Sequence, residues 1–219
     1  MILSTDFFSH DACHVAQALI GKIIRRKYKG QWLAARIIET EAYYLSDKAS
    51  HSSLGCTEKR KAMFMPAGTI YMYYARGHDS LNISCGNKGD AVLIKSAFPF
   101  VDKTSPEKNI KTIQKLNPTK DGSLRAIEKL CSGQTLLCKS LNLKVSDWDQ
   151  RQFNKNEFYI EDINQKPDKI IQTTRLGIHQ ERDAHLHYRY IDFNFAKFCT
   201  SNPLTKRMFT EGKEYIIHC

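Results

Sequence analysis

Apolar and polar positions divide the chain into short blocks of changing period. Residues 9–20 place Ala12, Val15, Ala16, Leu19 and Ile20 on one helical side, with Ser9 as a cap and Gly21 as a stop. Residues 22–28 and 31–40 read as two strands joined at Lys29 and Gly30. In the second strand Leu33, Ala35 and Ile37 alternate with Trp32, Ala34, Arg36 and Ile38. A polar, irregular stretch over 45–61 follows, the kind of loop where substrate-contacting groups gather. Strand patterning then resumes over 69–76, 81–85 and 91–97, with turns at 77–80 and 86–89. Tyr71 and Tyr73 share one face of the first of these strands, Tyr74 and Arg76 the other, which puts Arg76 near a hairpin tip.

The second half is more helical. Ser105-Pro106 opens a helix carrying Ile110, Ile113 and Leu116, and Pro118 ends it. A second helix is predicted over 123–131 from Leu124, Ile127 and Leu130, a break falls at Ser132-Gly133, and helical spacing resumes over 134–141. Residues 144–168 are polar and weakly patterned. Residues 169–178 read as a strand ending in Arg175-Leu176-Gly177. No internal repeat, low-complexity segment or linker interrupts the chain. The expectation is one mixed α+β domain spanning residues 1–219.

Composition narrows the partner more than the fold. The 219 residues are 42% hydrophobic and 11% aromatic, enough to build a core. The formal net charge of +10 favours a polyanion such as nucleic acid, though an ordinary basic protein has the same balance. Seven cysteines with no Cys-x-x-Cys point to free thiols in a reducing compartment rather than to disulfides or zinc. His185 and His187 form an isolated His-x-His, more often surface than a metal site. No apolar run is long enough to cross a bilayer, and the opening residues lack the basic and apolar regions of a signal peptide, so a cytoplasmic protein is expected.

One stretch carries candidate chemistry. Glu39 and Glu41 arrive at the end of a strand that should be buried, and in an extended chain residues 39, 41 and 43 point to one side. Two such carboxylates are costly unless partnered. One reading makes Glu41, beside the aromatic Tyr43, a group that activates water. The other makes both glutamates solvent-facing strand-end residues with cationic neighbours.

Several ordered motifs decide between classes of function. They are LIGK at 19–22, RIIETEAY at 36–43, ASH at 49–51, MFMPAGTIYMY at 63–73, NIS at 82–84, LCSG at 130–133 and RLG at 175–177. Together they resemble the alkyladenine (3-methylpurine) DNA glycosylase family that lacks a helix-hairpin-helix, over about residues 5–190. The resemblance implies a curved antiparallel sheet with surrounding helices, like a formyltransferase C-terminal domain, and a protruding hairpin that enters the minor groove. It implies removal of alkylated or deaminated purines, such as 3-methyladenine, hypoxanthine and ethenoadenine, from double-stranded DNA by base flipping. No metal, cofactor or membrane is implied, and a monomer is compatible with it. By the same resemblance Glu41 is the general base, and Tyr43 and Tyr73 are the walls of the base slot. His51 closes the slot, Asn82 crowds the amine of normal guanine, and the Leu176 carbonyl helps hold the water. Arg175 and Gly77 fall in segments expected to touch DNA.

The chain departs from the family pattern at two site positions. Arg76 stands where an aromatic tyrosine wedge is usual, and is expected to occupy the gap left by the flipped nucleotide. Lys95 stands where arginine is usual near the catalytic water, so a forked grip becomes a point charge. Lys95 also raises an alternative, a bifunctional glycosylase and lyase working through a Schiff base. A further alternative is a damaged-DNA-binding protein without catalysis. Residues 185–190 lack the expected proline.

Overall fold

The computed structural model describes residues 1–206 and 209–219. Nine strands build one sheet: β1 (Ile23–Tyr28), β2 (Gln31–Tyr43), β3 (Ile70–Ala75), β4 (His78–Ser84), β5 (Ala91–Pro99), β6 (Phe158–Glu161), β7 (Ile170–Thr173), β8 (Arg189–Asp192) and β9 (Tyr215–His218). The main order is β3-β4-β5-β2-β8-β7-β9. The first half of β2 pairs with β1, which carries β6 on its far edge, and the second half pairs with β8. These pairings are all antiparallel. The helices are short: α1 (Thr5–Phe8), α2 (Ala12–Leu19), α3 (Ile110–Leu116), α4 (Gln134–Ser140) and α5 (Val145–Trp148). The architecture is mixed α+β, as expected from the pattern. Among the described residues, no helix is long and apolar enough to cross a membrane.

β2 is the spine, and a β-bulge divides its two tasks. Leu33, Ala35 and Ile37 pack with Val15, Ala16 and Leu19 of α2 in the main core. The register against β5 slips between Ile37 and Glu39 and again between Glu39 and Thr40. After the slip Thr40 and Ala42 face α2, with the Thr40 hydroxyl donating to the Ala16 carbonyl at 2.8 Å. Strict alternation would have sent Glu39, Glu41 and Tyr43 into that apolar core. The extra residue turns them to the opposite face, the re-aiming that bulges provide.

Several expected boundaries shift. α2 starts at Ala12 because Asp11, not Ser9, caps it, accepting from the Cys13 and His14 amides. Ser9 instead bonds the Thr5 carbonyl and closes α1. The turn expected at 77–80 is a two-residue hairpin at Arg76-Gly77, both with positive φ (51° and 78°), so residues 78–80 belong to β4. The helix expected over 123–131 is replaced by a single 3-10 turn at Ile127–Lys129. Asp121 captures the Ser123 amide and hydroxyl, and the Thr119 amide donates to the Ser123 carbonyl, so local bonds displace the helix and leave Leu124 exposed. The strand expected over 169–178 stops at Thr173. β6 and β8 lie in segments where the pattern showed no strand; each is four residues long and is held by longer neighbours.

Candidate active site

The turned-out face of β2 borders an open cavity of about 760 Å³. Its lining includes Tyr43, His51, Tyr73, Arg76, Asn82, Lys95 and Leu176 from the sequence-predicted set. They reach it from β2, β3, β4, β5, the loop after β2 and the segment after β7. Gly77 is exposed at the hairpin tip.

Glu41 has no exposed surface, and neither does Glu39, so the solvent-facing reading of the pair is overturned. Tyr43 donates its hydroxyl to Glu41 Oε2 at 2.7 Å, the Leu176 amide donates to Oε1 at 3.3 Å, and Lys95 Nζ lies 3.3 Å from Oε1. Burial pushes the Glu41 carboxyl up, but Lys95, Arg189, the Tyr43 hydroxyl and the Leu176 N–H outweigh it and hold it below the usual carboxylate value. Burial, and then the Glu41 charge, push the Tyr43 phenol well above its ordinary value, so it stays a donor. Glu39 has its own set of partners: Arg189 Nε at 2.7 Å, the Thr200 hydroxyl and amide, and the Ser96 hydroxyl.

The aromatic side of the cavity is built on β3. The Tyr71 and Tyr73 rings stack at 5.6 Å and 24°, and the His51 ring stands edge-on to Tyr73 at 4.4 Å. His51 Nδ1 and the Tyr71 hydroxyl lie 2.8 Å apart. Burial, then Arg60 and Arg182, lower the His51 pKa, so the imidazole is neutral at neutral pH. Asn82 donates from Nδ2 to the Tyr71 carbonyl at 3.3 Å.

One expected DNA contact is placed elsewhere. Arg175 is buried; its guanidinium pairs with Asp47, donates to the Ala42 carbonyl at 3.0 Å and lies 4.6 Å from the Tyr43 ring centre. Buried against its own carboxylate, it offers no fork to a phosphate. Sequence reasoning missed Tyr71, Gln134, Thr200, Asp47 and Arg189 as parts of the site or its support. Tyr71 was legible as the same-face neighbour of Tyr73. Nothing in the sequence singles out Thr200 or Arg189, which arrive by long-range pairing. Among the described residues, no group of three or more His, Cys, Asp or Glu side chains could hold a metal ion.

The sequence pattern of the methylpurine-DNA glycosylase family matches residues 6–194. The chain belongs to that family. The chain is 56% identical to a protein of Pseudomonas savastanoi pv. phaseolicola, over 98% of this chain and 96% of that one. It is 53% identical to one from Pseudomonas aeruginosa, covering 97% and 89%, and 31% identical to one from Clostridium beijerinckii, covering 99% and 98%. All three are provisionally named 3-methyladenine DNA glycosylases. This family member is therefore a DNA glycosylase of base-excision repair, with damaged DNA as its partner. Thr200, which lines the cavity, lies beyond the residues matched to the family.

Proposed function

We propose that this glycosylase hydrolyses the N-glycosidic bond of alkylated or deaminated purines, 3-methyladenine, hypoxanthine and ethenoadenine among them, in duplex DNA. It acts as a single-domain monomer in the reducing cytoplasm. The observation that carries the proposal is a wholly buried Glu41 carboxylate, held ionised and bonded to a tyrosine that also walls an aromatic cavity. A protein that only bound damaged DNA would gain nothing from so costly a group.

The damaged nucleotide rotates out of the stack, because the bond cannot be reached inside the duplex. Arg76, at the exposed hairpin tip, enters the minor groove and occupies the vacated space. The base slides between Tyr43 and Tyr73, where stacking is worth about 1–3 kcal/mol and tolerates several purines. His51 closes the slot and Asn82 excludes the guanine amine. As the C1′–N bond breaks and the base departs, the Glu41 charge stabilises the cationic sugar; Glu41 then takes the proton of water held against the Leu176 carbonyl as the water oxygen bonds to C1′. The Lys95 nitrogen is committed to Glu41 at 3.3 Å, which supports hydrolysis rather than attack by the lysine. The test is a labelled duplex carrying hypoxanthine, ethenoadenine or 3-methyladenine, treated with alkali after incubation. Strand breaks at the lesion are expected; their absence for every lesion defeats the proposal.

A further inference from the structure

Arg175 is buried, yet it sits among the groups that matter most to the site. Nη1 donates to the carbonyl of Ala42, the residue between Glu41 and Tyr43. Its charge is matched by Asp47, which in turn accepts from the Ala49 amide at 2.8 Å and so shapes the turn leading to His51. The guanidinium carbon lies 4.6 Å from the Tyr43 ring centre and 5.3 Å from that of Tyr188. The next residue along the chain supplies the amide that donates to Glu41 Oε1. Two outer bonds stitch the same loops together: the Lys48 amide to Asp183, and Arg182 Nε to the Lys48 carbonyl. The loop carrying His51 and the segment carrying Leu176 are thus tied to each other and to the end of β2 through one planar fork.

We infer that Arg175, with Asp47, is a positioning residue: it sets the Tyr43 wall and the Leu176 N–H against Glu41 in one arrangement, and does not contact DNA. The inference rests on the reading of Glu41 as the base. Asp47, the Ala42 carbonyl, the Asp183 carbonyl at 3.4 Å and the Tyr43 and Tyr188 rings all meet this one guanidinium, and its planar geometry serves them together. Lysine carries the charge without the fork. A displaced Leu176 segment removes one of the groups that keep Glu41 ionised. The others facing it are Lys95 from β5, Arg189 from β8 and Tyr43 from β2 itself, with Tyr73 on β3 close enough to feel its charge.

The experiment compares wild type with Arg175→Lys, which keeps the charge and loses the fork, and with Arg175→Gln, which removes the charge; Asp47→Asn is a further variant should these fail to fold. Affinity for an undamaged duplex is measured across a salt series, and single-turnover excision of hypoxanthine across pH. The inference expects the slope of log affinity against log salt to stay unchanged in Arg175→Gln, because no phosphate contact is lost. It expects excision at neutral pH to fall roughly 10- to 100-fold through misplacement, with the acid limb moved to higher pH. A slope reduced by about one makes Arg175 a phosphate contact and overturns it. So does a folded variant with unchanged rate and acid limb. Glu41→Gln run alongside separates the two claims: full activity there defeats the base assignment, while the salt slope still judges Arg175.

Discussion

Glu41→Gln isolates the charge from the shape. The two side chains are nearly isosteric, so the cavity and the Tyr43 ring should hold their places. Three groups converge on the carboxylate: the Tyr43 hydroxyl at 2.7 Å, the Leu176 amide at 3.3 Å and Lys95 at 3.3 Å. A unit pair at the Lys95 separation is worth on the order of 5 kcal/mol gross at an effective dielectric of about 20, most of it offset by desolvation. The Lys95 side chain keeps 14% of its surface and can turn toward the cavity. The net cost in stability is therefore about 1–3 kcal/mol, a fall of several degrees in Tm. Loss of a general base costs roughly 10²–10⁴ in rate. Single-turnover excision of hypoxanthine from a labelled duplex should drop at least 100-fold at neutral pH, with lesion affinity within about tenfold. A folded variant that excises within tenfold of wild type refutes the assignment.

Other outcomes follow from the same geometry. Tyr43→Phe keeps the wall and removes a hydrogen bond to the ionised carboxylate, so the acid limb of the pH–rate profile should move up from its wild-type position. Since the folded pKa of Glu41 is depressed, its contribution to stability is present above the unfolded value and lost as pH falls through the folded one; acid titration followed by circular dichroism reads this in wild type against Glu41→Gln. Arg76→Ala should weaken lesion-duplex affinity and excision by about tenfold, equal to about 1.4 kcal/mol, and no change in either removes the wedge role. Arg189→Met strands the buried Glu39 and should cost about 3–5 kcal/mol, visible as a lower urea midpoint; an unchanged midpoint means the pair has no net worth.

The strands that carry the N-terminal half of the site were readable from local pattern, while the roles of Tyr73, Asn82 and Lys95 on them were implied by the family resemblance. β2 to β5 carry long alternating runs, and Glu41, Tyr43, Tyr73, Asn82 and Lys95 all ride on them. The bulge that aims Glu41 was not readable, since Glu39, Thr40 and Glu41 are polar and only the small Ala42 marks the change of apolar phase from odd to even positions. The strands β6 and β8 were hidden for a related reason: four residues acquire strand form from the partners they meet, not from their own propensity. The burial of Arg175 was not readable because a cation beside a family motif looks the same in sequence whether it faces phosphate or a buried aspartate. Only the three-dimensional position of Asp47, 128 residues away, distinguishes them.

The pairing of Glu39 with Arg189 spans 150 residues of chain. At ribosomal rates of roughly 5–20 residues per second, β2 waits about 8–30 s after synthesis for β8. During that interval Glu41 has Tyr43 and Lys95, but Glu39 has only the Ser96 hydroxyl and no cation. The buried acid at the bend of β2 is therefore neutralised only when the last fifth of the chain has been made, so the fold around it closes late.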